Sequence, residues 1–186
     1  MAGLPPQNTA RITARLPLRL TSELGRTEFA MVALTEGPDG RVAHPVAKGS
    51  GAVTAFAQAD GFLTVPALVE SLAPGTMAEV TLFGPSIVAP ALAVIGSHCV
   101  GLDAVVGRLS EQGLQARILA TGSQGGLAAL KRRECDIAPI HLFDPATDAF
   151  NTTFLANGMR LIPGWLPMQG LVYRQGAPRF QGRALD

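Results

Sequence analysis

Near Gly84-Pro85 the hydrophobic pattern changes period, and that change limits the chain to folds in which a β part is followed by an α/β part. Before it, apolar and polar residues alternate in short runs bounded by turn residues. Examples are Arg11-Ile12-Thr13-Ala14-Arg15-Leu16, Phe29 to Leu34, Phe62 to Pro66 and Ala78 to Phe83. Such alternation predicts half-buried strands. Gly37-Pro38-Asp39-Gly40 predicts a hairpin, because proline presets φ at the second position and Asp-Gly accepts a positive φ. Leu72-Ala73-Pro74-Gly75 predicts a second tight turn. After the change, strand-like runs at 91–95, 116–120 and 136–143 alternate with helical spacing, first Leu102, Val105, Val106 and Leu109, then Leu127, Leu130 and Lys131. A fourth apolar stretch runs from Met159 through Trp165 to Tyr173. The expected domains are residues 9–84, all β, and residues 88–186, α/β with a parallel sheet.

The 186 residues are 47% hydrophobic and carry a formal charge of +1, enough apolar material for one ordinary core or two small ones. The near-neutral charge argues against nucleic acid as the main partner. The largest basic run, Lys131-Arg132-Arg133, reads as the solvated end of a helix. Cys99 and Cys135 form no CxxC pattern, so no disulfide framework or zinc site is signalled. The first residues lack the apolar stretch of a signal peptide, and no run of eighteen apolar residues occurs, so a cytoplasmic, non-membrane setting is expected.

Two glycine-rich turns carry the chemistry. Gly96-Ser97-His98 and Gly122-Ser123-Gln124-Gly125-Gly126 each follow an apolar run and open a helical segment. A right-handed crossover places both strand ends and both helix starts on one edge of a parallel sheet. Backbone N–H groups there, with the Ser97 and Ser123 hydroxyls, suit a phosphate, a carboxylate or a tetrahedral metal oxyanion. His141 and Asp144 end the third strand on the same edge. His98 and His141 either donate to such an anion or are satisfied within their turns. Asp103 reads as a first-turn acid of its helix rather than a ligand.

Several segments match a known family in order and spacing: Pro17-Leu18-Arg19, Gly25-Arg26-Thr27-Glu28-Phe29, Gly49-Ser50-Gly51 and Ala59-Asp60-Gly61-Phe62. They resemble the C-terminal β domain, barrel-like in fold, of MoeA-type molybdopterin molybdenumtransferases. Gly96-Ser97-His98, Gly122-Ser123-Gln124-Gly125-Gly126-Leu127, Ile140-His141-Leu142-Phe143-Asp144 and Gln169-Gly170-Leu171 resemble the periplasmic-binding-protein-like domain, related to LysR substrate-binding domains, fused to some of these enzymes.

The resemblance implies a place in molybdenum cofactor biosynthesis, where the family inserts molybdenum from molybdate into adenylylated molybdopterin with magnesium assisting. Arg26 and Ser50 are then expected to face the active-site cleft of a dimer partner, although Arg26 in an ion pair with Glu23 or Glu28 is the other reading of the same residues. Ser97, His98, Gly122, Ser123, Gly125, Gly126 and His141 are the expected contacts to a molybdate, tungstate or molybdopterin-type ligand. The family's catalytic carboxylates have no counterpart here. The chain therefore reads as a fragment with only the first lobe of the binding domain, no catalytic or metal-ligating residues of its own, and cut surfaces that favour a homodimer. The alternative expectation is a non-catalytic regulatory module that binds a small organic effector and uses its β domain for dimerisation.

Overall fold

The computed structural model describes residues 9–46, 53–85 and 89–164. The chain divides into two compact units, 1–154 and 155–186, and the first holds both a barrel and an α/β layer. Described residues of the second unit form a turn in which the Met159 N–H donates to the Ala156 carbonyl at 3.1 Å. Ser50, Trp165, Tyr173 and the Gln169-Gly170-Leu171 motif lie outside the described residues.

Strands β1 (Arg11–Arg15), β3 (Glu28–Gly37), β4 (Gly40–Pro45), β5 (Gly61–Val65) and β7 (Met77–Leu82) close a barrel in the order β1-β4-β3-β5-β7. The predicted hairpin joins β3 to β4, with Gly37 opposite Gly40. Short strands β2 (Leu20–Thr21) and β6 (Ser71–Leu72) pair beside the barrel, and helix α1 (Val53–Gln58) precedes β5. The inward residues Ala14, Val32, Leu34, Ala43, Leu63, Val65 and Val80 form the barrel core with Leu16 and Leu20. Alternation along each strand puts them on one face.

Strand β3 departs from alternation where it matters most. Val32, Ala33, Leu34 and Thr35 are all buried, so this half of the strand is covered on both faces. The second cover is the α/β layer. Strand β8 (Leu92–Gly96) runs parallel to β9 (Ala116–Ala120), joined through α2 (Val100–Glu111), and α3 (Gly122–Lys131) follows β9. Outward-facing Ala33 packs with Ile95, Leu119 and Ala129 in a small second core, flanked by Val46 and Cys135.

The expected third strand over 136–143 is cut short. It makes one parallel bridge, Ile137 to Val94, with the Ile95 N–H donating to Ile137 O and the Ser97 N–H to Pro139 O. Pro139 has no N–H to continue the ladder. The chain then forms a small hairpin of β10 (Phe143–Asp144) and β11 (Ala149–Phe150). A carboxylate oxygen of Asp144 accepts the Thr147 hydroxyl at 2.9 Å, which with the Ala146 N–H holds its carboxyl below the usual carboxylate range.

Polar groups fill the seam between barrel and layer. Arg117 of β9 sets its guanidinium on the Asp60 carboxylate, with Nη2 2.8 Å from Oδ1 and Nη1 bonded to Oδ2. The same Nη1 donates to the Leu34 carbonyl at 2.8 Å, while Asp60 Oδ2 accepts the Leu34 N–H at 2.7 Å.

At the other end of the seam Glu134 is fully buried and accepts from Arg15 of β1 at 2.9 Å and from Arg132 at 2.8 Å. Helix α3 ends in a Schellman turn: Arg133, at φ 57°, donates to Leu130 O, and the Glu134 N–H reaches back to Ala129 O. That turn directs Glu134 into the seam. The basic run is therefore only partly a solvated helix end, since Arg132 is drawn to Glu134. Burial pushes the Glu134 carboxyl up, but hydrogen bonds from Arg132 and Arg15 outweigh it and hold the carboxyl below the ordinary glutamate value.

His44 lies in the same seam, buried, with Nε2 2.9 Å from the Thr35 hydroxyl. Burial lowers its pKa from 6.5 to about 4, Glu134 opposes the shift, and Arg132 and Arg15 add to it. Unfolded, His44 takes up its proton near pH 6.5; folded, it resists until about pH 4. The unfolded state therefore binds more protons in that window. The stabilisation is complete above it and is lost as pH falls through it, on the order of 3 kcal/mol. Thermal melts from pH 7 to 4 should show this loss, and His44→Gln, which keeps a partner for Thr35, should flatten the dependence. An unchanged slope in the variant would assign the loss to other groups.

Candidate functional site

The carboxyl ends of β8 and β9 bring the two glycine turns together, as the crossover requires. Thr121 donates its N–H to Gly96 O at 3.0 Å, which ties one turn to the other. Gly122 opens α3 at φ 74°, a conformation disfavoured for other residues. A Cβ on Gly126 would strike the Ile95 carbonyl and Gly96, so only glycine lets α3 lie this close to β8. Gly125 is similarly pressed, against the Thr121 side chain.

Ser97 is half-buried and spends its N–H on Pro139 O, so that donor is turned into the fold and not toward a ligand. Ser123 Oγ accepts the backbone N–H of His141 at 2.9 Å. A serine hydroxyl that accepts through a lone pair keeps its proton to donate, so Ser123 can still serve an anion. The His141 ring stacks on Phe150, with centroids 5.0 Å apart and planes 13° apart, and Phe150 meets Phe143 at 5.0 Å. Both phenylalanines are about half exposed.

His98 lies apart from this group in its contacts. Its Nε2 is 2.8 Å from Asp103 Oδ1 in the first turn of α2, and both side chains are exposed. Asp103 is thus a first-turn acid, with the histidine as its partner. Arg26 is exposed and in an ion pair with Glu23. The edge therefore unites Ser97, Gly122, Ser123, Gly125, Gly126 and His141, while His98 and Arg26 hold local acids.

Among the described residues no three His, Cys, Asp or Glu side chains converge. No helix among them is long and apolar enough to cross a membrane. A pocket of about 180 Å³ opens at the opposite end of β8, lined by Glu36, Pro90, Ala91, Ala93, Arg133, Cys135 and Asp136. Burial raises the pKa of its Cys135 thiol to about 11, with a hydrogen bond from the Ile95 backbone opposing.

Charge pairing across the seam is what the sequence reading missed. Asp60 stood in a recognised motif, but its partner Arg117 is 57 positions away. Glu134 and His44 gave no signal at all. The one legible hint was the unbroken apolar run Ala30-Met31-Val32-Ala33-Leu34, the pattern of a strand covered on both faces.

A closed five-stranded barrel carrying a parallel α/β layer on its wall defines a two-part scaffold. Residues 13–83 match the model of the MoeA C-terminal region (domain IV), and residues 106–184 match that of a PBP superfamily domain. One chain thus carries a segment similar to a MoeA C-terminal region and a segment similar to a PBP-like domain. Solved structures give local likenesses. A molybdopterin biosynthesis MoeA protein from Pyrococcus horikoshii is 44% identical over 42% of this chain and 18% of its own, with a TM-score of 0.35. A second from P. horikoshii OT3 is 28% identical over 41% and 20%, also with a TM-score of 0.35. A molybdenum cofactor biosynthesis protein from P. furiosus is 32% identical over 42% and 28%, with a TM-score of 0.37. The chain spans 18% to 28% of the length of these three structures. None of the curated proteins matches it.

Proposed function

We propose that this chain serves molybdenum cofactor assembly by holding a molybdate, tungstate or molybdopterin-type oxyanion at the β8–β9 edge, on a layer fixed to a MoeA-type barrel. The observation that carries this reading is the match of residues 13–83 to the MoeA C-terminal region, on the same chain as the PBP-like match. The Ser123 hydroxyl, left with a donor by its bond from His141, is the leading contact, with Ser97, Gly122, Gly125, Gly126 and His141 around it. His98 can join by leaving Asp103 or by turning its other ring nitrogen to the anion. Arg26 and Ser50 are proposed to contact the cofactor from the barrel. Arg26 gives up little in doing so, since an exposed ion pair contributes about 0 to 1 kcal/mol.

Calorimetric titration of the chain with molybdate, tungstate, sulfate and phosphate tests the reading. Heat with molybdate or tungstate is expected. Ser123→Ala should weaken binding by roughly ten- to a hundred-fold, the worth of one hydrogen bond to a charged group, with little change in melting temperature. No heat with any of the four anions removes the inorganic-oxyanion version. The His141–Phe150–Phe143 ring group beside Ser123 favours a flat organic effector as the second reading.

A further inference from the structure

Three described residues other than glycine hold a positive φ. Arg133 ends α3 and Asp148 lies in the turn between β10 and β11, whereas Asn151, at φ 63°, stands just after β11. Glycine would take this conformation more easily, so what singles out asparagine here is what its side chain touches.

The register of the hairpin explains the contact. Phe143 is opposite Phe150 and Asp144 opposite Ala149, so the next pair is Leu142 opposite Asn151. Half of that pair is ordinary ladder, with the Asn151 N–H donating to the Leu142 carbonyl at 2.8 Å. The other half is not. The left-handed turn at Asn151 directs its own carbonyl to the Phe154 N–H, 3.2 Å away, and the side chain takes the carbonyl's place: Oδ1 accepts the Leu142 N–H at 2.8 Å.

One residue earlier the same segment is held by the candidate edge, where the His141 N–H donates to Ser123 Oγ at 2.9 Å. Two consecutive N–H groups thus go to two side chains, one at the start of α3 and one at the end of the hairpin. Phe150, the residue before Asn151, carries the ring on which His141 stacks. Asn151 fixes the backbone, and Phe150 the ring, of the residue that meets Ser123. With one lone pair of Ser123 committed to His141, the directions in which the hydroxyl can offer its proton follow from where the His141 N–H lies. We propose that Asn151 is a positioning residue of the β8–β9 edge, holding the His141 amide on Ser123 so that the hydroxyl points its proton at the anion, a role that rests on the oxyanion reading of that edge.

Calorimetric titration of the full chain and its variants with molybdate and tungstate, below the lowest melting temperature of the set, tests it. Asn151→Gly keeps the backbone conformation and removes only the acceptor, and it should weaken binding by roughly 3- to 10-fold, the worth of one neutral hydrogen bond. Asn151→Ser, whose oxygen is one bond too short to reach the Leu142 N–H, replaces it if the glycine variant melts early. In a Ser123→Ala background the same change should weaken binding no further, since Asn151 acts through Ser123. Without any anion, the His141 and Leu142 amides should exchange hydrogen faster in Asn151→Gly, and Asn151→Asp, which restores an acceptor at the same atom, should return both to slow exchange. A parental chain that binds neither anion overturns the oxyanion reading and this role with it. A parental chain that binds, with Asn151→Gly binding as tightly or weakening Ser123→Ala by the same factor, overturns the Asn151 role alone. Unchanged amide exchange in Asn151→Gly does the same.

Discussion

Arg117→Ala is expected to lower stability by about 3 kcal/mol and to make barrel and α/β layer unfold in separate steps, as read by urea titration with two spectroscopic probes. The substitution removes three bonds at once, two to Asp60 and one to the Leu34 carbonyl. It leaves a carboxylate that is only 15% exposed without its countercharge. Breaking a buried ion pair by removing one partner costs roughly 3 to 5 kcal/mol, and the residual exposure places this pair at the low end. Arg117→Lys should recover part of the loss, since lysine keeps the charge but cannot reach both carboxylate oxygens and the carbonyl with a planar fork. The comparison is Arg11→Ala, whose exposed pair with Glu79 should contribute less than about 1 kcal/mol to folding. If the Arg117 and Arg11 variants melt alike, the seam does not hold the layer.

Glu134→Leu is expected to be the more damaging change, at roughly 3 to 5 kcal/mol. Glu134 has no exposed surface, and its removal leaves the Arg15 and Arg132 guanidinium groups facing each other across the seam. The decisive comparison is with the triple replacement Arg15→Met, Arg132→Met and Glu134→Leu. Exchanging a whole buried charge group for apolar side chains of similar size is often neutral or stabilising, so the triple variant should be more stable than the single one. Loss of Glu134 also removes the one group that raises the His44 pKa. The single variant should therefore resist protonation of His44 to lower pH, visible by NMR titration of the ring. A triple variant as unstable as the single one would mean that Glu134 acts through packing rather than charge.

Particular residues mark how far the sequence could be read. The hairpin at Gly37-Pro38-Asp39-Gly40 and the strands around it were legible, because turn chemistry and period-two burial are local properties. The run Asp136 to Phe143 has the apolar content of a strand, but Pro139 ends the ladder after a single bridge. At the candidate edge, the glycine turns predict that Ser97, Ser123 and His141 share one end of the sheet, since parallel strands end on the same edge. That Ser123 accepts the His141 N–H, and that His98 is held by Asp103, depends on loop paths with no periodic signature.

By itself the sequence determined that a β part precedes an α/β part, where the turns fall and that the glycine turns cluster, all consequences of local dihedral preference and of short-range hydrophobic period. Only the tertiary structure decided that β3 is buried on both faces, that Arg117 pairs with Asp60, and that Glu134 is buried between two arginines. The physical reason is range. A charged residue in a sequence is most often solvated, and what makes Glu134 a buried charge is the Schellman turn after α3 bringing it to Arg15, 119 positions earlier.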